Sequence, residues 1–151
     1  MTTLNELLKQ QENVKHATDT GTRMHNMLQR IIIDDNCISG DNILIQKIKN
    51  IPQLSVMFNC DSRTEVPIAG TINNRFISRR IDRLNINHNN KHIDILDYKT
   101  DVNHETFYTK YIEQIREYAQ LLRAIYTDYS ISGYILWTHD FSLEKIDIKH
   151  V

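Results

Sequence analysis

From Leu54 onward the apolar residues change their spacing twice, and that switch does most to limit the fold. From Leu54 to Tyr98 they recur in the alternation of strands. From Phe107 to Tyr126 the residues Tyr111, Ile112, Ile115, Ala119, Leu122 and Ile125 return at helical spacing, over about five turns. From Ser132 to Thr138 a β-rich apolar run follows, and Leu143 to Ile148 alternates again. A meander of strands, one long amphipathic helix and closing strands imply a helix laid on a sheet.

Within the meander, Leu54 to Phe58, Glu65 to Ala69, Phe76 to Ile86 and His92 to Tyr98 read as four strands, with turns at Asn73-Asn74 and His88-Asn89-Asn90. Upstream, Asn42 to Asn50 predicts a helix that breaks near Pro52. Leu4, Leu7 and Leu8 predict a short N-terminal helix, and Gly21 reads as a turn. A second helix then follows, capped by Thr20 or Thr22, with Met24, Met27, Leu28, Ile31 and Ile32 on its buried face and His25 in its first turns. The expected fold is α/β in three layers, a central mixed β-sheet flanked by α-helices.

With 151 residues, 40% of them hydrophobic and 25% charged, the chain suits one globular domain spanning 1–151. No stretch approaches the roughly 18 to 20 apolar residues of a membrane span, and Met1 to Gln10 lacks a signal-peptide pattern, so a cytoplasmic protein without a membrane partner is expected. Cys37 and Cys60 lie far apart, which gives no support to a zinc site or a disulfide scaffold. A Walker A loop needs glycines at a spacing that Gly21, Gly40, Gly70 and Gly133 do not provide, so no ATP site is expected. The net charge of −1 does not announce a nucleic-acid binder. Locally, however, Arg75, Arg79, Arg80 and Arg83 crowd around Asp82, either as a solvated basic face or as phosphate contacts.

The chemistry centres on Ile93-Asp94-Ile95-Leu96-Asp97-Tyr98-Lys99-Thr100. Residues two apart on a strand share a face, so Asp97 and Lys99 project together at the end of the apolar strip made by Ile93 and Ile95. Taken alone, that pair reads first as an ion pair at a strand end, ahead of a catalytic site. Asp82, in Ile81-Asp82-Arg83-Leu84, lies on the preceding strand and brings a second carboxylate. Two acids on neighbouring strands supply what a hard cation such as Mg²⁺ requires, with water and substrate phosphate completing its shell.

Read in order, Gly21-Thr22-Arg23-Met24-His25, Glu65-Val66-Pro67, Ile81-Asp82-Arg83-Leu84, Leu96-Asp97-Tyr98-Lys99-Thr100-Asp101 and Gln114-Ile115-Arg116-Glu117-Tyr118 resemble the RecB-type PD-(D/E)xK nucleases. More narrowly, the chain is similar to the C-terminal exonuclease domains of AddA and RecB helicase-nucleases over about 21–138. The resemblance implies a restriction-endonuclease-like fold and Mg²⁺- or Mn²⁺-dependent hydrolysis of DNA in repair or recombination. It implies that His25, Asp82, Asp97 and the Tyr98 backbone carbonyl bind the metal, that Lys99 acts on the scissile phosphate or the attacking water, and that Gln114 and Tyr118 line the site. Glu65 is an additional site carboxylate by the same resemblance, and Arg79, Arg80 and Arg83 are candidate DNA contacts. A separate helicase subunit is an implied partner.

The chain departs from the family where a small residue, commonly Gly, precedes Ile81 by two positions, because Arg79 stands there. An inward Arg79 would pair with Asp82 and weaken metal binding, whereas an outward one would meet phosphate. The iron-sulfur members need four cysteines, and two cannot hold a cluster. Two rivals accompany the exonuclease expectation: a catalytically weak DNA-binding or complex-forming relic, and a restriction-like endonuclease.

Overall fold

The computed structural model describes residues 3–100 and 104–148. It is a mixed α/β fold in the order α1 (Leu4–Gln29), β1 (Ile32–Asp34), β2 (Cys37–Ser39), α2 (Asn42–Lys49), α3 (Pro52–Ser55), a 3₁₀ turn (Val56–Phe58), β3 (Arg63–Ile72), β4 (Arg75–Asn87), β5 (His92–Lys99), α4 (His104–Ile125), β6 (Ser130–Trp137) and β7 (Ser142–Ile146). The last five strands form one sheet, β3-β4-β5-β6-β7, antiparallel except for the parallel β5–β6 pair. A parallel pair needs a crossover, and α4 supplies it.

Alternation sorts the sheet into two faces. Ile93 and Ile95 of β5 and Ile135 and Trp137 of β6 pack on one side with Ile115, Tyr118, Ala119 and Leu122 of α4. Leu96, Tyr98, Tyr134 and Leu136 pack on the other with Leu28 of α1, Leu44, Ile45 and Ile48 of α2, and Leu54, Met57 and Phe58. Helices therefore cover both faces. Gly133 on β6 lets α4 lie close, since a Cβ there would stand 2.5 Å from a methyl of Ile115. Among the described residues no helix is long and apolar enough to cross a membrane.

Several expectations are corrected. The N-terminal segment is one continuous helix rather than two, opened by a Thr3–Glu6 capping box, so Gly21 is no turn and neither Thr20 nor Thr22 is a cap. Gly21 sits in the helix because space is short there: a Cβ would meet the Thr100 hydroxyl at 3.3 Å. Ile32 belongs to β1, in a β1–β2 hairpin the periodicity did not predict. Leu54 to Phe58 is helical rather than a strand, because Pro52 takes a first-turn position where its missing N–H costs nothing. Ile125, expected on the buried stripe of α4, is 62% exposed at the helix end, while Leu121 is buried.

The sheet forks. The β4–β5 ladder runs from Asn87↔His92 only as far as Arg83↔Leu96. Beyond it β4 stays with β3 to Ile72↔Arg75, and β5 stays with β6 to Lys99↔Trp137. At the fork the alternation of β4 slips: Ile77 and Ile81 face α4, and so do Leu84 and Ile86. Across from the slip, Glu65 adopts the left-handed conformation (φ 52°), a non-glycine strain of about 1–2 kcal/mol.

Candidate active site

Asp82 and Asp97 come from the two strands that part at the fork. Where a ladder bond would otherwise form, the Asp82 carboxylate takes its place: Oδ2 accepts the Tyr98 amide at 2.8 Å. In an extended strand a residue's N–H and C=O point to the same edge, so the Tyr98 carbonyl also faces this opening. The same Asp82 oxygen lies 3.2 Å from Nε2 of His25, which α1 carries in from the opposite layer. The Nδ1–H of His25 donates to the Gly21 carbonyl one turn earlier, at 2.9 Å. That bond fixes the ring so that Nε2 faces the carboxylate, holding either a proton or a lone pair.

Asp97 is 2% exposed. Its Oδ2 lies 2.8 Å from the Lys99 ammonium, yet that atom receives no well-aligned hydrogen bond and is an orphaned buried oxygen. Burial and the charge of Asp82 push Asp97 up to about 7, against the pull of Lys99. For Asp82 burial also pushes upward, but the bonds from His25 and the Tyr98 amide outweigh it and hold the group below the ordinary carboxylate value. The bond to Asp82 in turn holds the His25 imidazolium up to about 9, against burial. The two carboxylates thus differ in ionisation, as a coupled acid pair does.

Lys99 is held from three sides: the Asp97 carboxylate, Oε1 of Gln114 at 3.1 Å and the Tyr111 ring, 4.4 Å from its centroid. The Gln114 Nε2 donates to the Tyr118 hydroxyl at 2.8 Å, and that hydroxyl donates to the Arg80 carbonyl at 3.1 Å. Each group donates to the next, so the orientation of the Gln114 amide is set and its carbonyl oxygen must face Lys99. Burial, followed by the nearby charges of Asp97 and Asp82, pushes the Tyr118 phenol well above its usual value, so it stays a donor. Gln114 and Tyr118 share this face through their four-residue spacing on α4.

No family model matches the chain, and no curated protein matches it.

The remaining candidates divide. Glu65 lines a cleft of about 520 Å³ with His25 and Asp82, but its carboxylate pairs with Arg80 at 3.6 Å. Arg79 points to the α4 side, where its Nε lies 3.8 Å from Glu117, rather than to Asp82. The inward alternative for Arg79 is therefore not adopted. Arg83 is a correction. At 2% exposed it offers no surface to DNA, because the slip in β4 turns it into the core. Its guanidinium donates to the Tyr98 hydroxyl, to Ser62 and to the carbonyls of Leu28, Gln29 and Ile31, and stacks 4.0 Å from the Phe58 centroid. Those carbonyls lie at the C-terminal end of α1, where a helix leaves its last acceptors unsatisfied and carries partial negative charge. Arg83 thus fastens the helix that bears His25. The sequence carries no signal for this, since Arg83 follows Asp82 in a stretch that already holds Arg79 and Arg80. Asp101 lies outside the described residues.

Among the described residues no three His, Cys, Asp or Glu side chains stand together as a ready-made metal cage. A proton on His25 and the ammonium of Lys99 neutralise the carboxylates instead. The buried Asp97 carboxylate, neutralised by Lys99 alone, beside a second carboxylate is nonetheless a donor set that suits a hard cation, which takes one or two carboxylates plus water and phosphate.

Proposed function

We propose that this chain is a Mg²⁺- or Mn²⁺-dependent deoxyribonuclease on a restriction-endonuclease-like three-layer fold, degrading DNA from an end. The observation that carries this reading is the fork: two carboxylates, Asp82 and Asp97, meet where β4 and β5 part, with the Lys99 ammonium fixed beside them. Asp82, Asp97, His25 and the Tyr98 carbonyl would hold the cation. A bound divalent ion lowers the pKa of its water and shields the phosphate.

The chain's own residues do the rest. With the Asp97 carboxylate engaged by a cation, Lys99 would have a free donor direction toward a phosphate oxygen, where negative charge would grow in the transition state. Gln114 keeps the ammonium from following Asp97, and Tyr118 keeps Gln114 in place through the Arg80 carbonyl. His25 would lose its Nε2 proton to serve as a ligand, and its bond to the Gly21 carbonyl would keep the ring directed there from α1. Cutting from an end and action in repair or recombination follow from the resemblance. The net charge of −1 favours a nuclease to which a helicase delivers DNA over one that attracts DNA itself.

The test incubates the purified chain with linear and with covalently closed circular DNA, in Mg²⁺, in Mn²⁺ and in EDTA, beside Asp97→Ala and Lys99→Ala. Loss of linear DNA alone, dependent on the metal and on both residues, is the expected result. A ladder of internal cuts favours an endonuclease. Inertness of the wild-type chain in every metal would establish the relic in place of the enzyme.

A further inference from the structure

Beyond the fork, the β4 edge that faced β5 is released, and a cleft opens between β4 and α4 (about 490 Å³). Its inner wall is Gln114 and Tyr111, the two residues that hold Lys99. Its outer part carries Arg75 and Arg79 from β4 and Lys110 from α4. Alternation puts both arginines on the face of Ile77, toward α4. Both guanidiniums turn to one acid, Glu117, at 3.4 Å for Arg75 and 3.8 Å for Arg79. A carboxylate paired with two arginines, accepting a hydrogen bond from Arg75, occupies the position that a phosphate would take.

We infer that this cleft is the phosphate track for the DNA strand next to the scissile bond, and that Glu117 is a built-in competitor for its arginines. The inference rests on the nuclease reading and adds the residues that hold the strand. A bound backbone would replace Glu117 on Arg75 and Arg79, while Lys110 meets a neighbouring phosphate. The aromatic wall fits one strand rather than a duplex: Tyr111 lines the cleft, and Phe107, one turn earlier and half exposed, lies 6.2 Å from it between ring centroids. Cations along a groove with aromatic faces for unstacked bases are how a single strand is gripped without regard to sequence. Glu113 and Glu117 keep the cleft close to neutral when it is empty, in line with a protein that binds DNA weakly until a strand is delivered.

The experiment measures fluorescence anisotropy of a labelled single-stranded oligonucleotide with the full chain in EDTA, over a range of salt. Glu117→Gln, which keeps the shape and removes the charge, should tighten binding about threefold or more. Arg75→Ala/Arg79→Ala should weaken it about tenfold or more and lower the salt slope by about one to two. Lys110→Ala, a single exposed helix position, should weaken it in the same direction and guards against a folding defect in the double variant. Unchanged or weaker binding by Glu117→Gln, or wild-type affinity in the double variant, overturns the inference. If wild type cuts DNA while the cleft variants bind as wild type does, only the cleft assignment falls. If wild type neither binds nor cuts, the nuclease reading falls with it.

Discussion

His25 has a different neighbour on each ring nitrogen, and this makes the metal-free site sensitive to pH. With Nδ1 committed to Gly21 and Nε2 against Asp82, the ring carries a proton until about pH 9. A divalent ion must displace that proton, so metal affinity should rise with pH by about tenfold per unit up to about 9. Below about 7 the rise should steepen, because Asp97 also has to lose a proton. Calorimetric titration of Mn²⁺ from pH 6 to 9, as about unit steps, checks this; affinity that is flat with pH contradicts it. The stability of the metal-free chain has the opposite slope. His25 is raised above its unfolded value of 6.5, so its contribution is complete below 6.5 and is lost as pH climbs through about 9. Thermal midpoints in EDTA should fall across that window, and His25→Gln should flatten the profile.

Arg83, at the same scale, is a residue whose apparent role and actual one differ. The motif Ile81-Asp82-Arg83-Leu84 places it beside Asp82, where a DNA contact is the natural expectation. Nothing in the sequence marks the slip in alternation between Ile81 and Leu84 that turns it inward, since the slip depends on how β3 and β5 pull β4 apart. Replacing it with Met should cost about 3–5 kcal/mol, because the carbonyls of Leu28 and Ile31 lose a buried charged donor. It should also weaken metal binding through the displacement of α1. Denaturant unfolding and Mn²⁺ titration measure the two effects, and a stable variant with intact metal affinity would contradict the role.

Among the elements, α4 and β5 were the legible ones. Period two fixes Asp97 and Lys99 on one face, and four-residue spacing fixes Gln114 and Tyr118 on another, so each pair could be placed without knowing the fold. The contact between the two pairs, Lys99 to Gln114, needs the depth at which α4 lies on the sheet. Gly133 sets that depth. Gly133→Val should push α4 off β6, costing about 1–3 kcal/mol by overpacking against Ile115 and slowing turnover more than it weakens metal binding. Thermal unfolding and cleavage rates check this, and a variant as stable as wild type would show that α4 is not seated on that glycine. The helix at Leu54 to Phe58 was not legible, because a short apolar run has no period of its own and only Pro52 hinted at its start. The continuity of α1 through Gly21 was hidden for a related reason: a glycine reads as a break unless the neighbour that requires it, Thr100, is known.

At the scale of the molecule, the mixed sheet with helices on both faces follows from the changes in apolar spacing, the one near Pro52 included. The fork does not, because strand pairing ends where side chains and not periodicities intervene. It is the fork that brings His25, Asp82, Asp97 and Lys99, three separate regions of the chain, to one opening. Lys99 is proposed to act there on a phosphate held beside two carboxylates. Single-turnover cleavage of end-labelled linear DNA in Mg²⁺, wild type against Lys99→Ala, with metal and DNA binding measured on the same preparations, tests it most directly. Lys99→Ala should bind both yet cut at least about a hundredfold more slowly. Equal rates, or a wild-type chain that binds metal and DNA and cuts nothing, would contradict it.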